Sequence, residues 1–297
     1  MDQQLRVFIS VVEKQSFSRA AEELHMTQPA VSQYIRTFED NLGMKLLDRT
    51  NKYVRLNKAG EIVYHHAKEI VGLYARMENL LMDFTNKVSG VLSIGSSYTF
   101  GEYVLPHVIA NMKKSYPEVH PSVTIENTEK IAELVKGHQI DIGIIEGNIK
   151  EDSQLEKEDF LEDRMVIVAS FNNSLTQNKG TIDLGELERQ TWILREEGSG
   201  TREAGEKIFQ RLGIRPTNLM VFSSTQSIKE AVIAGLGVSL LSEIAVQKEL
   251  LHNNMKIIEV EGLPYTRNFS IITASPYQTK ALQELIRMLK EYGLKRG

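Results

Sequence analysis

Four polar side chains recur at helical spacing early in the chain and could hydrogen-bond to the edges of nucleic-acid bases. They are Gln28, Ser32, Gln33 and Arg36. Amide, hydroxyl and guanidinium groups on one helix face can match the donor and acceptor pattern of the DNA major groove. An ordinary helical hairpin with a polar outer face would carry the same residue types, so this face alone leaves both interpretations open.

Basic residues dominate the segment that follows. Residues 42–58 contain one acidic residue and five basic ones, which are Lys45, Arg49, Lys52, Arg55 and Lys58. Short apolar runs among them predict a two-stranded wing. Cations on such a wing would contact the phosphate backbone, which supplies affinity without sequence information. A basic wing beside a polar helix face favours DNA binding, with Arg49, Lys52 and Arg55 as phosphate contacts.

Two short helices separated by a tight turn must position these side chains. Small alanines in the first, Ala20 and Ala21, would let the second helix cross it at close range. Thr27 is a suitable N-cap for the second helix, and Pro29 falls in its first turn, where the missing N–H costs little. The buried face of the second helix is predicted to consist of Val31, Ile35, Phe38 and Leu42. This is the helix-turn-helix layout, with the second helix as the reader.

A specific family resemblance lies in the stretch FSRAAEELHMTQPAVSQYIRTFEDNLGMKLLDRT, followed by VRLNKAG. The stretch resembles the N-terminal domain of LysR-type bacterial transcriptional regulators, and later segments extend the resemblance to almost all of the chain. The resemblance implies a winged helix-turn-helix DNA-binding domain at residues 1–57. Its DNA-binding residues would be Ser18, Arg19, Thr27, Gln28, Pro29, Ala30, Ser32, Gln33, Arg36, Arg49, Lys52 and Arg55.

Composition narrows the class of protein. The net charge of the 297 residues is −4, so any DNA-binding face must be locally rather than globally basic. The chain has no cysteine, which excludes disulfides, thiolate metal sites and cysteine nucleophiles. Its first apolar run is too short and too acidic nearby for a signal peptide, and no run has the roughly 20 apolar residues of a membrane helix. These features predict a cytoplasmic protein with no membrane partner.

A long helix is predicted after the wing, capped by Asn57. Its apolar positions are spaced alternately four and three residues apart, which is the period of a coiled-coil seam. An amphipathic helix packed on its own domain would instead drift toward a period of 3.6. The seam positions are Val63, Ala67, Ile70, Tyr74, Met77, Leu81, Phe84 and Val88. The spacing predicts that residues 58–88 form a dimerisation linker helix.

From residue 91 onward predicted strands and helices alternate, which is typical of an α/β domain with a parallel sheet. One of these predicted helices spans Phe100–Ser115. The family resemblance adds a two-lobed architecture like that of periplasmic binding proteins to this effector domain at 89–297. Lobe I would comprise 91–163 and 266–297, and lobe II 164–265. The chain would cross between the lobes near Asp163-Arg164 and near Tyr265-Thr266.

Hydroxyl-rich loops mark where a ligand would bind. One follows the first strand, from Gly95 to Thr99, and another precedes a helix, from Glu197 to Arg202. Both offer hydroxyls and free N–H groups at a helix N-terminus, which suits an anion, although caps and turns use the same residue types. Arg202 could pair with the anion or with Glu206. The predicted effector-binding residues are Ser96, Ser97, Thr99, Thr128, Glu146, Ser199 and Thr201.

No catalytic constellation is evident, because Gly198-Ser199-Gly200 lacks the spacing of a nucleophile elbow. We therefore expect no enzymatic activity, no cofactor and no metal. A two-lobed solute-binding protein is the alternative, and the N-terminal domain argues against it. The resemblance implies a regulator that binds an interrupted palindromic DNA operator and a small anionic effector, similar to members that regulate sulfur assimilation. It also implies a homodimer through the linker helix, a homotetramer, and RNA polymerase as a candidate partner.

Overall fold

The computed structural model describes residues 2–49, 53–82, 87–149, 154–177 and 182–294. The chain divides into two compact units. The first comprises Met1–Leu81 with Gly137–Gln139, and the second comprises Met82–Lys136 with Ile140–Gly297. None of the helices in the described ranges is both long enough and apolar enough to cross a bilayer.

The first unit contains a helix-turn-helix, a two-stranded wing and a long helix. Its elements are α1 Asp2–Lys14, α2 Phe17–Glu23, α3 Gln28–Leu42, β1 Leu47–Arg49, β2 Val54–Leu56 and α4 Lys58–Met82. The hydroxyl of Thr27 caps α3 by accepting from the backbone N–H of Ala30 at 3.4 Å, with Pro29 in the first turn. The predicted start of the reading helix is therefore confirmed.

The buried face of α3 differs from the prediction at its end. Val31, Ile35 and Phe38 are buried, but Leu42 is 46% exposed. The helix stops at Gly43, whose left-handed φ of 66° turns the chain away before Leu42 can pack. Glu39 is buried instead, and its carboxylate accepts from the backbone N–H of Leu46 at 3.0 Å. The sequence pattern did not predict that Glu39 is buried, because its hydrogen-bond donor, Leu46, lies beyond the end of the helix.

Helix α4 begins as predicted, since the side-chain oxygen of Asn57 accepts from the backbone N–H of Gly60 at 2.9 Å. The first two predicted seam positions, Val63 and Ala67, pack against the core of the first unit. Later seam positions are 41% to 59% exposed, and they are Ile70, Tyr74, Met77 and Leu81.

The predicted end of the long helix is wrong. The described part of α4 runs from Lys58 to Met82, and residues 87–89 have no helical structure. Val88 packs against a core cluster of the second unit instead of continuing the seam. Phe84 lies outside the described residues.

A nine-stranded mixed sheet forms the centre of the second unit, in the order β4-β3-β5-β11-β6-β9-β7-β8 with β10 beside β6. The strands are β3 Gly90–Ser96, β4 Val119–Ile125, β5 Ile142–Glu146, β6 Glu156–Ser170, β7 Trp192–Arg195, β8 Leu219–Phe222, β9 Val238–Ser242, β10 Met255–Ile258 and β11 Tyr265–Thr273. The helices are α5 Tyr98–Tyr103, α6 Leu105–Ser115, α7 Thr128–Lys136, α8 Ser174–Gln177, α9 Leu184–Glu188, α10 Gly200–Leu212, α11 Thr225–Ile233, α12 Glu243–Leu251 and α13 Lys280–Leu294. The predicted parallel pairing holds at both ends of the sheet, where β3 pairs with β4 and β5, and β7 with β8 and β9.

Two long antiparallel strands, β6 and β11, connect the halves of this sheet. Strand β11 pairs with β5 in one half, while β6 pairs with β9 in the other. Arg164 lies opposite Thr266 in their mutual register, at the two segments predicted to cross between lobes. Separate hydrophobic clusters pack on either side of this crossing. The two-lobed architecture is confirmed, with an antiparallel pair at its centre that alternation alone could not reveal.

The predicted helix from Phe100 to Ser115 is in fact two helices. Helix α5 ends at Tyr103, and α6 begins at Leu105 after a break at Val104. Pro106 explains the break, because its ring would clash with a carbonyl four residues earlier and it has no N–H to donate. Helix α5 is consequently only six residues long, too short to offer a substantial dipole to an anion.

Candidate functional site

The polar face of α3 is accessible over most of its length. Gln28, Gln33 and Arg36 are exposed and Ser32 is half-buried. Their contacts run along the helix itself. The Gln28 amide donates to the Ser32 hydroxyl at 2.9 Å, and the Gln33 amide donates to Thr37 at 3.4 Å. Such exposed contacts between neighbouring turns are easily exchanged for hydrogen bonds to bases.

The remaining predicted DNA-binding residues surround this face unevenly. Ser18 and Arg19 are exposed in α2, while Thr27, Pro29 and Ala30 form the start of α3. On the wing, Arg55 is exposed, with its guanidinium carbon 4.8 Å from the ring centroid of Tyr53. The backbone of Arg49 lies opposite Val54 in the wing, whereas Lys52 lies outside the described residues.

All seven predicted effector-binding residues are buried in the second unit, and the structure gathers several of them around Glu146. The Ser97 hydroxyl donates to one carboxylate oxygen of Glu146, and the Thr99 hydroxyl donates to the other at 3.3 Å. The Thr128 hydroxyl donates to the Glu146 backbone carbonyl at 2.9 Å. Four predicted residues, from the start of α5, the start of α7 and the end of β5, thus meet at the carboxyl end of β5.

Two of the predicted residues serve local backbone geometry. The Ser199 hydroxyl caps α10 by accepting from the backbone N–H of Thr201 at 3.2 Å. The Ser96 hydroxyl donates to the backbone carbonyl of Ser97 at 3.1 Å. These contacts match the cap and turn interpretation of the hydroxyl-rich loops. Arg202 pairs with Glu206 at 2.7 Å, so its salt-bridge interpretation is the one that the structure supports.

Arg267 on β11 joins the two lobes, and sequence reasoning missed it. Its guanidinium donates to Asp163 at 2.8 Å, to the Thr201 hydroxyl at 3.2 Å and to the Thr99 hydroxyl at 3.5 Å. The guanidinium also lies 3.9 Å from the Glu146 carboxylate. A signal existed, because Arg267 shares the alternating buried face of its strand with Phe269, and a charge at such a position needs a partner.

A second buried cation, Arg195, was also missed. It ends β7 and is 1% exposed, and it contacts both oxygens of Glu196 at 2.7 and 2.6 Å. Its guanidinium carbon lies 4.4 Å from the ring centroid of Tyr98, which belongs to the other lobe. Both buried arginines of the predicted effector cleft are paired with carboxylates, Arg195 with Glu196 and Arg267 with Asp163.

Burial also shifts the proton affinity of groups in the cleft. It raises the pKa of the Glu146 carboxyl, an effect that Arg267 opposes and Asp163 reinforces. Burial likewise raises the pKa of Tyr98 and of Glu102. Charge on Glu146 is therefore costly unless a donor or a proton compensates it.

The two lobes are in contact across the cleft. The backbone N–H of Glu129 donates to the Gly198 carbonyl at 3.1 Å, and the Lys229 ammonium donates to the Tyr103 hydroxyl at 3.1 Å. A side chain at Gly200 would place its Cβ 2.0 Å from the Glu146 carbonyl, so only glycine permits this approach. Access of a ligand to the predicted residues buried at this contact therefore requires the lobes to separate.

The cavity beside this contact only partly matches the predicted site. It measures about 470 Å³ and lies between α7 and α10. Among the described residues, Ser199 is the one predicted effector residue that lines it. The other six lie at the closed contact between the lobes or within the adjacent core.

The fold and these sites define a DNA-binding regulator with a ligand-binding domain. Residues 85–293 match the LysR substrate binding domain, and residues 3–61 match the bacterial regulatory helix-turn-helix protein family, lysR family. The chain therefore belongs to the LysR family of transcriptional regulators, as predicted from the sequence. This membership excludes the alternative of a solute-binding protein, which would lack the N-terminal domain.

Similar proteins are also transcriptional regulators. The regulator CysL of Bacillus subtilis is 39% identical over 287 residues, covering 96% of this chain and 95% of the relative. The RuBisCO operon transcriptional regulator of Allochromatium vinosum is 32% identical over 269 residues, covering 91% and 88%. These relatives span nearly the whole chain, so the similarity is not confined to one domain.

Solved structures share the fold at low sequence identity. Full-length CbnR in complex with its target DNA has a TM-score of 0.73 and 20% identity, covering 98% of this chain and 99% of that chain. The regulatory domain of CcmR from Synechocystis PCC6803, solved with 2-PG, has a TM-score of 0.62 and 24% identity, covering 70% and 99%. Both therefore support the architecture of this chain.

Proposed function

We propose that a small anion binds between the two lobes of this regulator and that its occupancy changes how the N-terminal domain engages DNA. The observation that carries the proposal is the meeting of Thr99, Thr201 and Arg267 at the crossing strands. These three side chains come from lobe I, lobe II and the crossover, so a ligand that binds them would be sensed by all three parts. The regulator acts in the cytoplasm without catalytic activity of its own.

The chemistry of the cleft favours an anion. Arg195 and Arg267 are buried guanidiniums whose carboxylate partners an incoming anion would replace, and α10 begins at Gly200, beside the contact between the lobes. Hydroxyls of Ser97, Thr99 and Thr201 would fix the orientation of the ligand. CcmR, which shares the fold of this domain, was solved in complex with 2-PG.

Removing one cleft hydroxyl should weaken effector binding. Thr99→Val and Thr201→Val should each cost about 1.5–3 kcal/mol of binding free energy, because each removes a hydrogen bond to a charged ligand. Calorimetry of the full chain against sulfate, sulfite, phosphate, thiosulfate, O-acetylserine and simple carboxylates measures this cost. Thr266→Val, on the exposed face of β11, is the matched control. An anion bound equally well by all variants, or no bound anion, would refute the proposal.

On the DNA side, Gln33 and Ser32 read bases, whereas Arg49, Lys52 and Arg55 hold phosphates. Gln33→Ala should cost about 1–3 kcal/mol on the operator and much less on random DNA. Arg55→Ala should weaken both and reduce the dependence of affinity on salt. Fluorescence anisotropy across salt concentrations measures both effects, with Gln210→Ala as a control. Equal losses on operator and random DNA for Gln33→Ala would contradict the base-reading role.

Assembly follows from the exposed apolar side chains of α4. Helix α4, Lys58–Met82, joins two chains into a homodimer, which places two DNA-binding domains on the half-sites of an interrupted palindrome. A second contact, through the effector domain at 89–297, then produces a homotetramer. RNA polymerase is the partner through which such an assembly would alter transcription. The similarity to CysL supports a regulator near those of sulfur assimilation.

A further inference from the structure

Glu146 holds an unusual place in the cleft. Its carboxylate is 1% exposed and accepts hydrogen bonds from the hydroxyls of Ser97 and Thr99. These are two of the donors that the proposed function assigns to the effector. In the closed cleft an acidic side chain of the protein therefore uses donors that the anion would need.

The charges around Glu146 leave it without a cation of its own. Among the described residues, the charged groups that act electrostatically on Glu146 are Arg267 on β11, Asp163 on β6 and Arg195 on β7. Arg267 lies 2.8 Å from Asp163 but 3.9 Å from Glu146, and Arg195 contacts both oxygens of Glu196. The other elements present the hydroxyls of Ser97, Thr99 and Thr128 and the backbone of Gly200. Two buried carboxylates thus share one guanidinium, and the two oxygens of Glu146 accept from neutral hydroxyls rather than from a close cation.

An anion without a proton would bind unfavourably beside these two carboxylates. Each of its oxygens would be an acceptor facing the lone pairs of Glu146 in a region of low dielectric constant. An anion that keeps one acidic proton can donate it to the carboxylate, and its remaining oxygens can accept from Thr99, Thr201 and Arg267. A site built to bind a ligand hydroxyl rejects the analogue that lacks it, because a buried polar group would be left unpaired.

We propose that Glu146 selects an oxyanion that retains an acidic proton, such as inorganic phosphate, against a fully deprotonated one such as sulfate. This inference rests on the proposed function, since it concerns the same cleft. Glu146 accepts the P–OH proton, and the arginines and hydroxyls bind the other oxygens. The preference comes from one acceptor side chain rather than from the size of the anion, because phosphate and sulfate have nearly the same shape.

Titration calorimetry of the full chain with inorganic phosphate and with sulfate tests the proposal. Under mildly alkaline conditions, where phosphate keeps one proton and sulfate has none, phosphate should bind at least about 10²-fold more tightly. Glu146→Gln should lower this ratio at least about tenfold, because the amide can donate to sulfate. The matched control is Glu196→Gln, which removes a carboxylate from Arg195 and should change both affinities in parallel.

A second measurement needs no variant, so it tests the selection by Glu146 even if Glu146→Gln does not fold. Sulfate binding to the natural chain should take up a proton, since Glu146 must become protonated, whereas phosphate binding should not. Calorimetry in buffers of different ionisation enthalpy measures the number of protons taken up on binding. Sulfate bound as tightly as phosphate without proton uptake would overturn the inference and leave the anion site standing.

Other outcomes separate the two proposals. If neither anion binds, or if Thr201→Val leaves the binding of both unchanged, the proposed function fails and this inference fails with it. Methylammonium is the remaining probe. Binding of methylammonium that Glu146→Gln abolishes, with no binding of either anion, would show that Glu146 pairs with a cationic ligand and would overturn the inference.

Discussion

Replacing Arg267 with alanine should lower the free energy of unfolding by about 3–5 kcal/mol, the cost of leaving a buried carboxylate without its cation. Asp163 is completely buried, 2.8 Å from Arg267, and Glu146 is also buried nearby. After the substitution, Asp163 would keep the hydrogen bond from the Ser242 hydroxyl at 2.5 Å but no positive charge. Urea unfolding of the full chain, followed by circular dichroism, measures the loss.

Arg164→Ala is the matched control for this prediction, because it removes an arginine from the same pair of strands. Arg164 is exposed and lies 3.4 Å from Glu243, so its loss should cost no more than about 1 kcal/mol. The double variant Arg267→Ala with Asp163→Asn should recover part of the lost stability. Equal losses for Arg267→Ala and Arg164→Ala would contradict the central role given to the buried pair.

Introducing lysine at Ile70 and Leu81 together should dissociate the dimer and weaken operator binding by about 10²–10⁴-fold. Both side chains are exposed on α4, at 49% and 59%, and lie on the predicted seam. A seam of coiled-coil type does not accommodate an unpaired charge at these positions, and two separate chains cannot bind both half-sites as a unit. Analytical ultracentrifugation and anisotropy measure the two effects.

Leu251→Lys is the control for the dimer prediction. Leu251 is an equally apolar residue that is 79% exposed on α12, outside the predicted seam. Its replacement should leave both mass and operator affinity unchanged. An unchanged mass for the Ile70 and Leu81 variant would show that the chains associate through another surface.

The parts of the fold that the sequence predicts well are those with local causes. The start of α3 depends on Thr27 and Pro29, and the start of α4 on Asn57, all within a few residues of the groups that they cap. The errors at Leu42 and Val104 arose where a nearby glycine or proline overrides the apolar period. Apolar periodicity indicates which face is buried, but a single glycine or proline decides where a helix ends.

The candidate cleft was predictable only in part, because some of its residues are placed by local sequence and others by strand register. Ser97 and Thr99 follow a strand directly, and that position places them at the carboxyl edge of the sheet. Arg267 and Asp163 lie 104 residues apart in the sequence and meet only through the register of two antiparallel strands. No local sequence pattern encodes that register. The sequence therefore predicted the cleft hydroxyls but not Arg267, which donates hydrogen bonds to two of them.

Occupancy of the cleft should change the DNA complex. Footprinting the purified full chain on the DNA upstream of its own gene, with and without the anion that calorimetry identifies, tests this most directly. We predict two protected half-sites whose extent or spacing changes on adding the anion, and Thr201→Val should shift that change to higher anion concentration. A footprint that stays the same at saturating anion would show that the cleft does not control DNA binding.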